Sequence, residues 1–151
     1  MVVTFFDHAQ FFRSNENEQK ILSFLEETVG NTPVNFYLGG YGDFDELAYT
    51  CCKKYKASHP QVSLIFITPY MTTQYRQSQP DNLKRQYDEI LFPDLENKPL
   101  KFAVFYRNRW MVEHADCILC GITHSWGGAY QAVLHAKRKN KPIFNIGDVE
   151  L

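Results

Sequence analysis

The stretch CILCGITHSWGGAYQAVLHAKRKNKPIFNI, residues 117–146, decides the fold. It opens on a continuous apolar run, turns through a loop holding two adjacent glycines, and carries helically spaced apolar residues from about Gly127 to Lys139. It closes on a second apolar run from Pro142. Runs that are continuous rather than alternating suit strands covered on both faces, and a helix between two such strands is the repeating unit of a parallel sheet. Lys137, Arg138, Lys139 and Lys141 gather where that helix should stop, where cations oppose the helix dipole. The basic cluster therefore reads as a helix stop rather than a nucleic-acid patch.

Working outward, the same rhythm recurs. Apolar runs begin at Val2 (VVTFF), Val34 (VNFYL) and Val62 (VSLIFIT). Between them, Phe44, Leu47, Ala48, Cys51, Cys52 and Tyr55 fall on one face of an α-helix, and further helical patterns run from about Glu16 to Val29 and from about Ala103 to Ala115. Strand and helix alternate, and right-handed crossovers turn that alternation into an α/β, doubly wound, Rossmann-like parallel sheet in three α/β/α layers, with expected strand order 3-2-1-4-5. A ligand crevice should open at the carboxyl ends of the first and fourth strands, where the loops beginning at Asp7 and Thr123 meet.

At 151 residues and 44% hydrophobic, the chain has material for one sizeable core, so residues 1–151 are expected to form a single domain. Sixteen basic against 17 acidic residues give a net charge of −1, and no direct nucleic-acid or membrane binding is expected from so weak a global field. Any anion must be held locally. The apolar start lacks a basic leader region and no run approaches the length of a membrane span, so a cytoplasmic protein with reduced thiols is expected. A lid-like insertion spans about 69–100, polar and proline-punctuated, with NLKRQYDEIL (82–91) as a short helix. It reads equally as an edge-covering or subunit-contact segment. The 15% aromatic content suggests a homo-oligomer.

Cys117 and Cys120 have CxxC spacing, yet residues three apart on a strand point to opposite faces, so no metal site and no cofactor is expected there. The loop THSWGG is the stronger candidate. Gly127 and Gly128 let backbone N–H groups approach an anion at a helix N-terminus, and Ser125 is placed to cap. Thr123, His124 and, from the first strand, His8 should face the same crevice. Arg107 and Arg109 suit phosphate or carboxylate, but diverge by about 200° around their helix, so one of the two is expected to serve the site. The glycines Gly39, Gly40 and Gly42 precede Asp43 and Glu46, which form a capping box as structure. As chemistry, Glu46 is a carboxylate beside a phosphate-friendly loop, able to act as acid or base.

The segments TFFDH, FYLGGYGDFDELAY, LIFITPYM, RNRWMVEHAD and THSWGGAYQAVLHAKRKNKPIFNIG together resemble the SLOG superfamily, in its Rossmann-like branch related to the lonely guy phosphoribohydrolases and to the nucleotide-binding domain of DNA-processing protein A. The resemblance implies a crevice that binds a nucleotide or nucleotide-derived small molecule, in many members as a non-catalytic sensor or effector. The lonely guy enzymes instead cleave the N-glycosidic bond of nucleoside 5′-monophosphates with an arginine and a PGGxGTxxE loop. Arg107 corresponds to that arginine by its spacing to Met111 and Asp116, but THSWGGAYQ offers no glutamate. GGYGDFDE matches the motif more closely after the wrong strand, and FFDH carries Asp7 where this branch would have glycine. The expected function is thus nucleotide binding without turnover; in the alternative, an N-glycosidic hydrolase, Arg107 would be catalytic with Glu46, or a lid carboxylate such as Asp88 or Glu89, standing in for the absent glutamate, and a third reading is a structural partner-binding domain with a vestigial pocket.

Overall fold

The computed structural model describes residues 1–8, 14–39, 42–69, 85–95 and 97–151, without the side chains of 42–44. In chain order the elements are β1 (Val2–Asp7), α1 (Asn15–Thr28), β2 (Val34–Leu38), α2 (Gly42–Ser58), β3 (Val62–Ile67), β4 (Glu89–Leu91), a 3-10 turn (Leu100–Phe102), α3 (Ala103–His114), β5 (Cys117–Gly121), α4 (Gly128–Arg138) and β6 (Ile143–Asn145). Six parallel strands lie in the order β4-β3-β2-β1-β5-β6. This is a Rossmann-like α/β single domain.

Each face of the sheet has its own core. Val3, Phe5, Phe36, Leu64 and Leu119 meet Ile21 and Leu25 of α1 and Leu47, Cys51 and Tyr55 of α2. On the opposite face, Phe6, Tyr37, Ile65, Ile118 and Cys120 meet Met111 and Val112 of α3 and Ala132, Val133 and Ala136 of α4. Full burial of each large apolar side chain stabilises by roughly 1.5–3 kcal/mol. The cores also divide the CxxC pair: Cys117 packs with α1 and α2, Cys120 with α3 and α4.

Helix ends follow local chemistry. The Ser14 side chain accepts from the Asn17 N–H at the start of α1 (3.2 Å). Lys141 donates to the carbonyls of Ala115 (2.8 Å) and Glu113 (3.3 Å), so part of the basic cluster closes the C-terminal end of α3.

One expectation is corrected at the sheet edge. NLKRQYDEIL does not end as a helix, because Glu89–Leu91 pair with β3 in register Ile65 with Glu89 to Ile67 with Leu91. Asp88 holds the start of this strand: its backbone N–H donates to the Leu64 carbonyl (2.8 Å), its carboxylate accepts the Leu64 N–H (2.8 Å), and it pairs with Lys56 (2.6 Å). The strand order thus gains a sixth member beyond the expected 3-2-1-4-5. Residues 70–84, the greater part of the expected lid, lie outside the described residues.

Candidate ligand-binding site

The chain winds from β1 outward through β2, β3 and β4, then crosses back to β5 on β1's other side. At that reversal β1 and β5 run side by side to Asp7 and Gly121, so the segments leaving them stay together. His8 and His124 stack there with centroids 3.4 Å apart and planes at 18°. Beyond them opens a cleft of about 720 Å³. Its walls come from β1 (Phe5, Phe6, Asp7, His8), from Gly39 after β2, from Asp45 on α2, from α3 (Val104, Arg107, Asn108, Met111) and from His124, Trp126, Gly127, Gly128 and Ala129.

The floor of the α4 side is built by glycine. Gly127 is the N-cap of α4 at φ 93° and ψ 175°, a conformation that strains any residue with a Cβ. No side chain caps α4 there, so Ser125, exposed in the loop, does not take the capping place expected of it. Helix N-termini leave backbone N–H groups without intrahelical acceptors, and these sit at the mouth of the cleft. A Cβ on Gly127 would stand 3.8 Å from Cε1 of His124 and 4.0 Å from Nδ1 of His8, while one on Gly128 would meet nothing within 4 Å.

His8 Nε2 accepts the backbone N–H of His124 (3.4 Å), which in the neutral ring leaves the proton on Nδ1, the nitrogen nearer Gly127. Burial, and then the neighbouring His124, hold the His8 imidazole below its ordinary pKa, favouring that neutral form.

Arg107 is buried, at 5% exposure. Its Nη1 donates to the carbonyls of Gly39 (3.2 Å) and Ile67 (3.1 Å), and its Nε to the Asn108 side chain (3.1 Å). It thereby ties the carboxyl ends of β2 and β3 to α3 while contributing a positive charge to the cleft wall. Arg109 faces elsewhere, with its guanidinium 5.5 Å from the Phe105 ring. It lines a separate hollow of about 40 Å³ with Asn108, Gly128, Gln131, His135 and Arg138.

The structure brings together His8, Gly39, Arg107, His124, Gly127 and Gly128 at the cleft. Thr123, Ser125, Arg109 and Glu46 are not among its lining residues, and Thr123, Ser125 and Glu46 are exposed. Gly42 begins α2, whereas Gly40 and the Asp43 side chain lie outside the described residues. Asp88, bound to Lys56 and Leu64, is also away from the cleft. Sequence reasoning missed Asp45, Asn108 and Trp126 as wall residues; Asp45 sits one place from the glutamate that drew attention, and a Trp next to a Gly-Gly turn was the available signal.

This architecture is a Rossmann-like α/β fold. Comparison of the sequence with family models gives no match, and comparison with curated proteins gives none either. Among solved structures, the chain is similar to DNA processing protein A from Helicobacter pylori, whose single-stranded DNA binding mode is described, at 16% identity and a TM-score of 0.64, covering 99% of this chain and 66% of that one. It is similar to DNA processing protein A from Streptococcus pneumoniae at 14% identity and a TM-score of 0.64, covering 99% and 51%. The protein TM1055, a structural genomics target, aligns at 15% identity and a TM-score of 0.56 over 94% and 71%. The chain therefore spans about two thirds of one DNA processing protein and half of the other, and the likeness is one of fold.

One expectation falls with these comparisons. A net charge of −1 was grounds for expecting no direct nucleic-acid binding, yet a protein of this fold binds single-stranded DNA. Net charge averages over the whole surface, whereas a strand of nucleic acid meets only a local patch, so near-neutrality does not exclude that partner. Among the described residues, no helix is long and apolar enough to cross a membrane.

Proposed function

We propose that this protein binds a nucleotide or nucleotide-derived small molecule in the crevice between β1 and β5, with a phosphate at the N-terminus of α4. The observation that carries the reading is the Gly127–Gly128 start of α4, open to a 720 Å³ cleft and without a side-chain cap. Backbone N–H groups and the helix dipole favour an anion at that place, and glycine leaves room for close approach. His8 Nδ1 supports the same position as a neutral donor, and Arg107 adds positive charge to the wall.

The ligand is held rather than turned over. Glu46 is exposed outside the cleft, and among the described residues the carboxylates that line it are Asp7 and Asp45, which hydrolysis of an N-glycosidic bond would have to use in its place. Calorimetric titration with AMP and ADP-ribose, followed by chromatography of the mixture, tests this. Saturable binding with the nucleotide recovered intact supports a sensor or effector; release of base and ribose phosphate would transfer the reading to the hydrolase, and no binding would refute both.

A second reading has its own observation. The hollow carrying Arg109 and Arg138 shares Asn108 and Gly128 with the cleft, so cationic side chains continue past the phosphate position, and the fold is shared with a protein that binds single-stranded DNA. A phosphodiester chain would follow that path. An oligothymidylate binding more tightly than a mononucleotide, with the logarithm of its affinity falling linearly in log salt, would establish it.

Self-association belongs to the same proposal: Leu100, Phe102, Val104 and Phe105 stand exposed around the start of α3. Light scattering coupled to size exclusion reads it directly.

A further inference from the structure

Trp126 is 69% exposed, yet its indole is held in place. It stacks on His124 with centroids 3.8 Å apart and planes at 24°, and His124 stacks in turn on His8 at 3.4 Å and 18°. His8 is anchored at the end of β1, itself paired along its length with β5. The three rings therefore form a column rising from the centre of the sheet, and Trp126 is its outermost member. All three line the cleft.

Isolated exposed apolar residues are ordinary on protein surfaces, so exposure alone says little. Two further observations single out this one. The exposed rings of Phe102 and Phe105 are accompanied by cations, Lys101 at 5.0 Å and Arg109 at 5.5 Å, whereas among the described residues Trp126 has no such cation and no ring contact besides His124. Trp126 also immediately precedes the Gly127–Gly128 start of α4, so its ring and the helix N–H groups belong to one short turn.

We infer that the outward face of Trp126 is a stacking platform for the nucleobase of the bound ligand. The inference rests on the phosphate position proposed above and adds what that position cannot specify, namely that the ligand carries a planar heteroaromatic ring close to its phosphate. Stacking on a preset indole loses little side-chain freedom on binding, and every base offers a π-face, so this contact selects for a base without selecting strongly among bases. The two histidines support the plane of Trp126 from its protein side, His8 with the same ring whose Nδ1 serves the phosphate position.

The test is equilibrium binding of AMP, CMP, ribose 5-phosphate and inorganic phosphate to the full chain and to Trp126→Ala and Trp126→Phe. AMP is expected to bind more tightly than ribose 5-phosphate, Trp126→Ala to weaken AMP by roughly 5- to 150-fold while leaving ribose 5-phosphate unchanged, and Trp126→Phe to recover much of the loss. A second readout does not depend on affinity. The chain has two tryptophans, so in Trp110→Phe the only indole emission comes from Trp126, and AMP but not ribose 5-phosphate should quench it. If ribose 5-phosphate matches AMP, or Trp126→Ala leaves AMP affinity unchanged, the platform is overturned while the phosphate position stands. If none of the four probes binds saturably, the phosphate position fails and the platform with it.

Discussion

Arg107 and Gly39 are fitted to one another: the guanidinium Nη1 donates to the Gly39 carbonyl at 3.2 Å, and a Cβ on Gly39 would lie 3.1 Å from that same nitrogen. A side chain at Gly39 would make the buried guanidinium give by a few tenths of an ångström where it meets the strand ends. Arg107→Ala leaves the Gly39 and Ile67 carbonyls without this donor and should cost about 2–3 kcal/mol in urea unfolding. Arg107→Lys should recover only part of it, since an ammonium lacks the planar fork. Equal stability of all three proteins would remove the tie from the account.

Gly127 and Gly128 should separate under substitution. Gly127→Ala forces a Cβ into φ 93° and should destabilise by about 1–3 kcal/mol. At Gly128 a Cβ meets nothing and φ is not left-handed, so Gly128→Ala should be neutral or stabilising by up to about 1 kcal/mol. Phosphate binding should nonetheless weaken in Gly128→Ala, because the added methyl stands at the mouth of the cleft. Unaltered affinity there would argue against close approach at α4.

A different glycine is structural alone. A Cβ on Gly147 would fall 2.2 Å from the Ile122 carbonyl oxygen, a backbone atom that cannot move aside. Gly147→Ala should cost about 3 kcal/mol or more, read as a lowered urea midpoint or loss of soluble protein. A midpoint close to that of the natural chain would contradict the packing described.

The His8 imidazole has a folded pKa below its ordinary 6.5, through burial and then His124. The unfolded chain therefore takes up the proton more readily, so the stability associated with neutral His8 is present above pH 6.5 and lost as pH falls through the folded value. Urea unfolding at pH 8 and pH 5.5 should show a smaller loss in His8→Gln than in the natural chain. An equal loss would place the titration elsewhere.

The four thiols should be inert in the native protein. All four are buried, and burial pushes Cys117 up to about 11 and Cys120 up to about 12, leaving little thiolate at neutral pH. A disulfide reagent should label none rapidly without denaturant and all four in urea; one fast native thiol would contradict this.

Much of the scaffold was legible because its signals are local and long. The five apolar runs became β1, β2, β3, β5 and β6, and the stripe from Leu47 to Tyr55 became the buried face of α2. β4 was not legible: three residues are too few for a periodic signal, and what makes Glu89–Leu91 a strand is the free edge of β3 together with Asp88. The position of the crevice followed from topology, which put His8, His124, Gly127 and Gly128 at one opening from the sequence alone, whereas the folded chain is what brings Gly39 and Arg107 to the same wall. Which neighbour faces inward was not legible. Asp45 rather than Glu46 and Arg107 rather than Arg109 depend on helix rotation, and Ser125 missed the cap because Gly127 itself is the N-cap of α4.

The central claim is that the crevice holds an intact nucleotide. Native mass spectrometry of the purified chain, incubated with AMP, GMP, CMP, UMP and ADP-ribose, tests it most directly. At least one saturable adduct at the mass of the unbroken nucleotide is expected, reduced in Gly128→Ala. No adduct with any of them, or one that persists unchanged in that variant, would contradict it.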